Sequence, residues 1–431
     1  MTPAARLQAA IELLDAIEAS AKPADSTASY YFKGRRYIGA KDRRWVAETV
    51  WRVLRRRARI DWWLGKVGNP TRDARARVLA DFALEGGSPD KTLFEGMHSA
   101  YPPDPAERRT MEMLKGKPLF HHEMPAWVRG EYPPWIEPRL TALFGERLAE
   151  EMGAARDEAP MDLRVNTLKA TRDHAMAVLA AEGVEATPTP LSPLGLRLPG
   201  RVALVQLKAW REGLVEVQDE GSQLVAQLVD AQPGEAVVDY CAGAGGKTLA
   251  LAAAMRNKGR LVACDVAEWR MNRAADRFRR AGVHNVTKRV IEGEADKWIK
   301  RAAGSFDRVL VDAPCTGTGT WRRNPDAKWQ LGETDLVELV ARQAVILASA
   351  ARLVKPGGRL VYATCSLLPD ENEGQIANFL ATHPDFAPVE SGQLRLSPFS
   401  HRTDGFFAAV LRRQAPEAPL PQAEDGSLPS S

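Results

Sequence analysis

From about residue 226 onward the chain repeats one rhythm, and that rhythm restricts the fold more than any other feature. Short apolar runs of strand length recur at Ala236–Tyr240, Arg260–Cys264, Val286–Ile291, Arg308–Val311 and Arg359–Thr364. Longer stretches with helical periodicity separate them: Lys247–Arg256, Ala267–Ala281, about Asp335–Val354, and Glu371–Ala381. Strands that are apolar along their whole length are buried on both faces, which a sheet covered by helices on either side provides. The alternation predicts an α/β domain over 226–413 with a mostly parallel sheet. Phe406–Leu411 is expected to close that sheet as an antiparallel strand.

The 431 residues exceed what one such unit needs, at roughly 150 residues per domain. Residues 1–135 read as a helical domain. Val46, Val50, Val53 and Leu54 fall on one face, with Arg43, Arg44, Arg52, Arg55 and Arg56 elsewhere. A proline-rich stretch follows, from Pro102 to Pro134, and marks a boundary. Residues 136–225 read as a small α+β subdomain. A strand is expected at Leu163–Leu168, and the Thr187–Leu198 run, broken by Pro188, Pro190 and Pro193, is expected to be loop and edge strand. Residues 414–431 are rich in Pro, Ala, Glu and Ser and are expected to be a disordered tail.

Several classes are disfavoured. The N-terminal stretch MTPAARLQAAIELLDAIEAS carries acids within its apolar stripe, so it reads as an amphipathic helix and not a signal peptide. No apolar run approaches the roughly 18–20 residues that cross a bilayer. The four cysteines, Cys241, Cys264, Cys315 and Cys365, form no CxxC pair and no zinc-spaced cluster, so neither a metal nor a disulfide framework is expected. A soluble, cytoplasmic monomer is the expectation.

Net charge is only +4, but its distribution is uneven. Residues 33–59 hold eleven Lys or Arg against two acids, Asp42 and Glu48. Such a segment suits phosphate contacts, and Tyr37, Trp45 and Trp51 offer rings for base stacking. The plainer reading has Trp45 and Trp51 in the core and the arginines solvated.

Two sets of residues carry chemistry. The first is the glycine loop, Cys241-Ala-Gly-Ala-Gly-Gly-Lys-Thr248, set between a strand and a helix. Glycines let a ligand approach the backbone, and the helix N-terminus offers free N–H groups. Asp265, 24 residues after Cys241, ends the next strand, where an acid accepts hydrogen bonds from ribose hydroxyls. The loop fails as a phosphate-binding P-loop because Cys241 stands where the first glycine belongs, and as a dinucleotide fingerprint because Thr248 replaces the third.

The second set lies at the ends of two later strands: Asp312 and Cys315 after one, Cys365 after the other. Ligands of open parallel sheets sit beyond the carboxyl ends of the strands, so these residues are expected to converge with Asp239 and Asp265 on one edge. A thiolate that adds to C6 of a cytosine makes C5 a carbon nucleophile. A carboxyl group at N3 favours that addition, and a base that removes the C5 proton lets the thiol leave. Two thiols and an aspartate are what that sequence of steps requires.

At this point the chain resembles the NOL1/NOP2/Sun family of RNA cytosine-5 methyltransferases. The likeness rests on CAGAGGKT (241–248), DAPCTGTGTWRRNPDAKW (312–329) and ATCSLLPDENEGQI (363–376). VQDEGSQLV (217–225) and DGFFAA (404–409) add secondary matches. The resemblance implies a class I, Rossmann-like methyltransferase fold and S-adenosyl-L-methionine as cofactor. It implies Cys365 as nucleophile, Cys315 as the residue that assists product release, and Asp312 as a contact to the base, near the cofactor. Lys247 joins this catalytic set. For the cofactor it implies Cys241, Ala242, Gly243, Ala244, Gly245, Gly246 and Lys247 at the methionine moiety, Asp265 at the ribose and Arg270 nearby. An acid near the adenine is either Glu294 or Asp296, with spacing to Asp312 favouring Glu294. The family loop usually reads CAAPGGKT; Gly243 and Ala244 replace its Ala-Pro here.

AKDRRWVAETVWRVLRRR (40–57) is similar to the NusB-like domain of bacterial rRNA members, and LRVNTLK (163–169) resembles the start of the family's RNA-binding subdomain. The implied substrate is RNA, with 16S rRNA favoured by analogy and tRNA the alternative. Arg322, Arg323, Lys328 and Trp329 are expected to line the RNA cleft. A small-molecule methyltransferase and a non-catalytic RNA-binding assembly factor are the rival readings; the first needs no paired thiols and the second no methyl transfer.

Overall fold

The computed structural model describes residues 1–415, and the expected tail lies almost wholly outside them. The first region is helical: α1 (Pro3–Glu18), α2 (Ala24–Gly34), α3 (Ala40–Arg55), α4 (Arg57–Lys66), α5 (Ala74–Leu84) and α6 (Pro105–Leu114). Side-chain caps start α1, α5 and α6. Thr2 caps α1, with Pro3 at its first position, and Asp104 forms a capping box with Glu107 on α6. Val46, Val50, Val53 and Leu54 are all buried, packed with Leu13, Leu14, Ile60, Leu64 and Leu79. Each large side chain buried this way contributes about 1.5–3 kcal/mol. Trp45 and Trp51 lie against the same core, half-buried.

Helices α7 (Ala126–Gly130), α8 (Glu137–Phe144) and α9 (Leu148–Arg156) follow. Tyr132, Ile136, Leu140 and Met152 from this stretch pack with Trp321, Leu336, Leu367 and Leu368, which follow the two cysteine-bearing strands in sequence. The loops beyond those strands are thereby anchored to the helical part of the molecule.

A small antiparallel sheet comes next, in the order β2-β3-β1-β4: β1 (Met161–Val165), β2 (Thr187–Pro188), β3 (Gly195–Leu198) and β4 (Val215–Val217). Helices α10 (Arg172–Ala181) and α11 (Lys208–Arg211) belong to it. Two readings from sequence need correction. The strand expected at Leu163–Leu168 begins at Met161 and stops at Val165, because the chain turns there: the Asn166 carbonyl accepts from Lys169 N–H and Ala170 N–H at 3.0 Å, and the Asn166 side-chain amide donates to the carbonyls of Gly213 and Ala281. The Thr187–Leu198 run holds two strands, and only β2 is an edge; β3 is paired on both sides.

After α12 (Glu220–Leu228) the β/α rhythm appears as read. The strands are β5 (Ala236–Asp239), β6 (Arg260–Asp265), β7 (Val286–Val290), β8 (Phe306–Asp312), β9 (Val354–Thr364), β10 (Phe386–Leu396) and β11 (Phe406–Arg413). The helices are α13 (Gly246–Ala254), α14 (Glu268–Ala281), α15 (Lys297–Arg301), α16 (Glu333–Ala351), α17 (Glu373–Thr382) and the short α18 (Pro398–His401). The sheet order is β10-β11-β9-β8-β5-β6-β7. Strands β5 to β9 are parallel, and β11 returns antiparallel beside β9, as expected. This is the Rossmann-like methyltransferase architecture. The chain order reverses between β5 and β8, and that crevice is where such sheets bind ligands. The sequence reading missed β10, an edge strand with Pro388 and an irregularity between Pro388 and Gln393. No helix among the described residues is long and apolar enough to cross a membrane.

Candidate functional site

The glycine loop leaves β5 at its carboxyl end and enters α13. Gly243 and Gly245 take left-handed backbone conformations, with φ of 55° and 79°. A side chain at Gly245 would also strike the Phe278 ring, its Cβ lying 2.6 Å from a ring carbon. The loop is pinned by its neighbours: Ala242 N–H donates to the Cys264 carbonyl at 2.8 Å and Gly243 N–H to Asp265 Oδ2 at 2.9 Å. Arg277 donates to the Ala244 carbonyl at 2.6 Å, and Arg164 of β1 to the Gly246 carbonyl at 2.8 Å. The small sheet therefore braces the loop directly. Cys241 is half-buried at the start of the loop, its thiol pushed up by burial first and by nearby carboxylates second.

Asp265 is nearly buried. Its second oxygen accepts from Ala267 N–H at 2.7 Å, so both oxygens hold backbone donors and the carboxylate is fixed in place. Arg270 stands 4.0 Å away with its side chain 51% exposed. Beyond Asp265 lies a cavity of about 510 Å³ lined by Val266, Glu292, Gly293, Glu294, Arg342 and Val345. Glu294 is held there through its carbonyl, which accepts from Ser349 Oγ at 2.8 Å. Asp296 is used differently: it caps α15 by accepting from Trp298 N–H at 2.7 Å, and backbone hydrogen bonds hold its carboxyl below the usual range. One buried oxygen, Asp239 Oδ1, has no partner among the described residues, while Oδ2 accepts from Thr248 at 2.6 Å. Burial pushes the Asp239 carboxyl up to about 7.

On the other side of the crevice, Lys247 Nζ donates to Asp312 Oδ2 at 2.7 Å. The Phe406 ring lies 5.4 Å from the same ammonium. Burial opposes the lysine's charge, but Asp312, joined by Cys365 and Asp239, more than offsets it, so its pKa stands above the ordinary value. The Sγ atoms of Cys315 and Cys365 are 3.5 Å apart. The hydrogen bond to Cys365, then burial, raises Cys315 well above an ordinary thiol.

What holds the two thiols is a buried acid, Glu371. It is 0% exposed and faces no cation within ion-pair distance among the described residues. It accepts from Thr316 N–H at 2.8 Å, Thr316 Oγ1 at 2.5 Å, Gln343 Nε2 at 2.9 Å and the Ser366 hydroxyl. Thr316 and Ser366 are the residues directly after the two cysteines. Gly319 N–H also donates to the Cys365 carbonyl at 2.9 Å. Gly319 packs on Gly405 so closely that an added Cβ would sit 2.2 Å from the Gly405 carbonyl oxygen.

The chain matches known proteins along most of its length. The family described as 16S rRNA methyltransferase RsmB/F matches residues 226–412, and an RsmF/B-like ferredoxin-like domain matches residues 132–204. Ribosomal RNA small subunit methyltransferase B of Sodalis glossinidius is 33% identical over 409 residues, covering 88% of this chain and 91% of that protein. The chain belongs to the RsmB/F family of methyltransferases. A probable ribosomal RNA small subunit methyltransferase B of Synechocystis is 36% identical over 299 residues, 65% of this chain and 67% of its own. Among solved structures, PH0851 superposes with a TM-score of 0.78 at 31% identity, covering 96% of this chain and 99% of that one. A methyltransferase homologue from Pyrococcus horikoshii gives 0.60 at 30% identity, over 67% and 97% of the two chains.

Within this RsmB/F methyltransferase, one sequence expectation fails. Arg322, Arg323, Lys328 and Trp329 do not line an open cleft. Arg322 and Arg323 both pair with Asp219 and Asp404, Arg322 Nε reaching Asp404 Oδ1 at 2.6 Å. Lys328 is buried, which pulls its ammonium down to about 8, and Trp329 packs on the helical core. These residues bolt the loop after Cys315 to the rest of the protein. Glu371, Asp219 and Asp404 were missed from sequence, although all three lie in segments that carried the family resemblance.

Proposed function

We propose that the chain methylates C5 of a cytosine in 16S rRNA, using S-adenosyl-L-methionine and a transient bond between Cys365 and C6 of the base. The carrying observation is the placement of two thiols 3.5 Å apart beside the Lys247–Asp312 pair, at the crevice between β5 and β8. The names of its relatives supply the substrate class, ribosomal RNA of the small subunit.

The residues present fit the cofactor. Asp239 leaves one buried carboxyl oxygen without a partner beneath the loop, and the 510 Å³ cavity offers Glu294 beside Val266 and Val345 for an adenine. Backbone N–H groups of the loop and of α13 would take the methionine end, with Cys241 through Gly246 forming the cradle. Asp265 would take the ribose with Arg270 alongside; Asp296, spent on its helix cap, leaves Glu294 as the adenine-side acid. When bound, the cofactor supplies a methyl group on a sulfonium centre.

The chain's own groups do the rest. The Cys365 thiolate adds to C6, and the electron pair of the C5=C6 bond moves toward N3 through the ring. Asp312 contacts the N3 edge and shares the proton taken up there, its orientation set by Lys247. C5 then acts as the carbon nucleophile. After transfer the C5 proton passes to Cys315, which gives its own proton to the departing Cys365 sulfur 3.5 Å away; the C5=C6 bond re-forms, the C6–S bond breaks and the N3 proton returns to Asp312. The reaction belongs in the compartment where rRNA is made, the cytoplasm of a bacterial cell.

Bisulfite sequencing of 16S rRNA from a deletion strain tests the proposal. One cytosine should lose protection, and the purified enzyme with labelled cofactor should restore it. An unchanged bisulfite pattern would overturn the proposal.

A further inference from the structure

Cys315 and Cys365 meet because neighbouring parallel strands deliver them. β8 and β9 stay in register up to Asp312 and Ala363, and each cysteine follows within three residues. Past the strand ends the two segments remain tied. Ala313 N–H donates to the Ala363 carbonyl at 2.8 Å, and Gly319 N–H to the Cys365 carbonyl at 2.9 Å. The Thr316 and Ser366 hydroxyls lie 3.2 Å apart. Thr318 Oγ1 is 3.1 Å from the Ser366 hydroxyl and accepts from Leu367 N–H at 2.7 Å. Glu371 accepts from both Thr316 and Ser366. Tethers on each side leave the sulfurs little freedom to separate.

The proposed reaction uses this closeness only to pass a proton. The same closeness permits a bond. From 3.5 Å the sulfurs must approach by about 1.5 Å to reach disulfide distance, a movement that side-chain torsions supply. Both cysteines are free and half-buried, so a small oxidant reaches them. Cys264 is buried within the sheet, and among the described residues neither it nor Cys241 shares a hydrogen bond with another thiol.

We propose that Cys315 and Cys365 form a redox modification site, closed to a reversible disulfide by hydrogen peroxide. The Cys365 thiolate attacks one peroxide oxygen. The S–O bond forms, the O–O bond breaks, and the hydroxide released takes a proton to leave as water. The sulfur gives up two electrons to become a sulfenic acid, and the peroxide is reduced. The Cys315 sulfur then attacks the Cys365 sulfur. The S–S bond forms, the S–O bond breaks, and the departing hydroxide takes the Cys315 proton as a second water. A dithiol reductant returns two electrons and two protons and restores both thiols. Closure removes the nucleophile and its proton partner together, so methyl transfer stops. It also halts Cys365 short of sulfinic acid, from which dithiols do not recover a thiol. A transient disulfide of this kind is compatible with a reducing compartment, where a structural framework is not. The choice of Cys365 as the attacking sulfur rests on the function proposed above.

The test treats the wild-type chain, without RNA, with a small excess of hydrogen peroxide, removes the excess with catalase, then alkylates under denaturation and digests without reductant. Mass spectrometry should find the Cys315 and Cys365 peptides joined through one S–S bond, with Cys241 and Cys264 alkylated. Methyl transfer to 16S rRNA by the treated chain should fall at least about tenfold, and dithiothreitol should restore it to within about twofold. In Cys315→Ala the same dose should carry Cys365 to sulfinic acid, read as two added oxygens that dithiothreitol does not remove. Wild-type Cys315 and Cys365 both still alkylated, sulfinic acid on wild-type Cys365 with Cys315 free, or a bond to Cys241 or Cys264 instead would each overturn the proposal. The peptide masses do not depend on methyl transfer. A Cys315–Cys365 bond in a chain that methylates at full rate while oxidised would leave the modification site standing and contradict the thiol chemistry.

Discussion

The two walls of the crevice are built in opposite ways. The glycine-loop wall is made of backbone: left-handed glycines, N–H groups and one aspartate held by two of them, opening on a large cavity. The thiol wall is made of side chains, and its two reactive loops are knotted through one buried carboxylate. A backbone cradle suits a ligand that enters and leaves on every turnover. A side-chain knot suits two sulfurs that must keep a fixed separation while a base is added and released. Damage to the first wall should therefore appear in cofactor affinity, and damage to the second in kcat.

The largest break is expected from Glu371→Gln. The amide keeps the volume but presents a donor where the carboxylate only accepts. It should lower kcat about tenfold to a hundredfold, equal to about 1.4–2.8 kcal/mol, with little change in cofactor KM. The Cys315 thiol, raised by its bond to Cys365, by burial and also by the Glu371 charge, should then alkylate at lower pH than in the wild type. A normal kcat and an unmoved alkylation profile would show that the knot does not position the sulfurs.

Asp265→Asn sharpens the contrast from the other side. One of its two backbone donors loses its acceptor, a loss of about 1–1.5 kcal/mol. Cofactor KM should rise roughly tenfold with kcat within about twofold. A fall in kcat at unchanged KM would erase the distinction between the walls.

A smaller effect concerns Asp239, beneath the loop. Burial raises its carboxyl from 3.8 to about 7, so the folded chain holds a proton that the unfolded chain releases between those values. The stability it contributes is complete below pH 4 and is lost as pH rises toward 7. Asp239→Asn removes that loss. Denaturant unfolding without cofactor should show the variant gaining on the wild type by on the order of 2 kcal/mol between pH 4.5 and 8. A constant difference across that range would mean that Asp239 is ionised in the fold.

How much of this was legible in the sequence follows from where each interaction's partners lie along the chain. Parallel strands such as β8 and β9 announce themselves because burial on both faces demands an apolar run. β10 does not: Pro388, Glu390 and Gly392 interrupt it, and an edge strand has one solvent-facing side. Asp312, Cys315 and Cys365 were legible because strand ends and ligand sites coincide in this architecture. Glu371 was not, since an acid within Asp-Glu-Asn-Glu-Gly reads as solvated until Thr316 and Gln343 are brought to it by the fold. Arg322 and Arg323 misled for the same reason. A basic, tryptophan-flanked run looks like an RNA surface, but its acids, Asp219 and Asp404, stand about a hundred positions earlier and about eighty later.

The central claim is that one sulfur bonds to the base and the other frees it. Cys315→Ala, incubated with 16S rRNA and S-adenosyl-L-methionine, should accumulate a protein–RNA adduct that survives denaturing gel electrophoresis. The same variant carrying Cys365→Ala as well should form none. An adduct that persists without Cys365, or free RNA methylated at full rate by Cys365→Ala alone, would contradict the account.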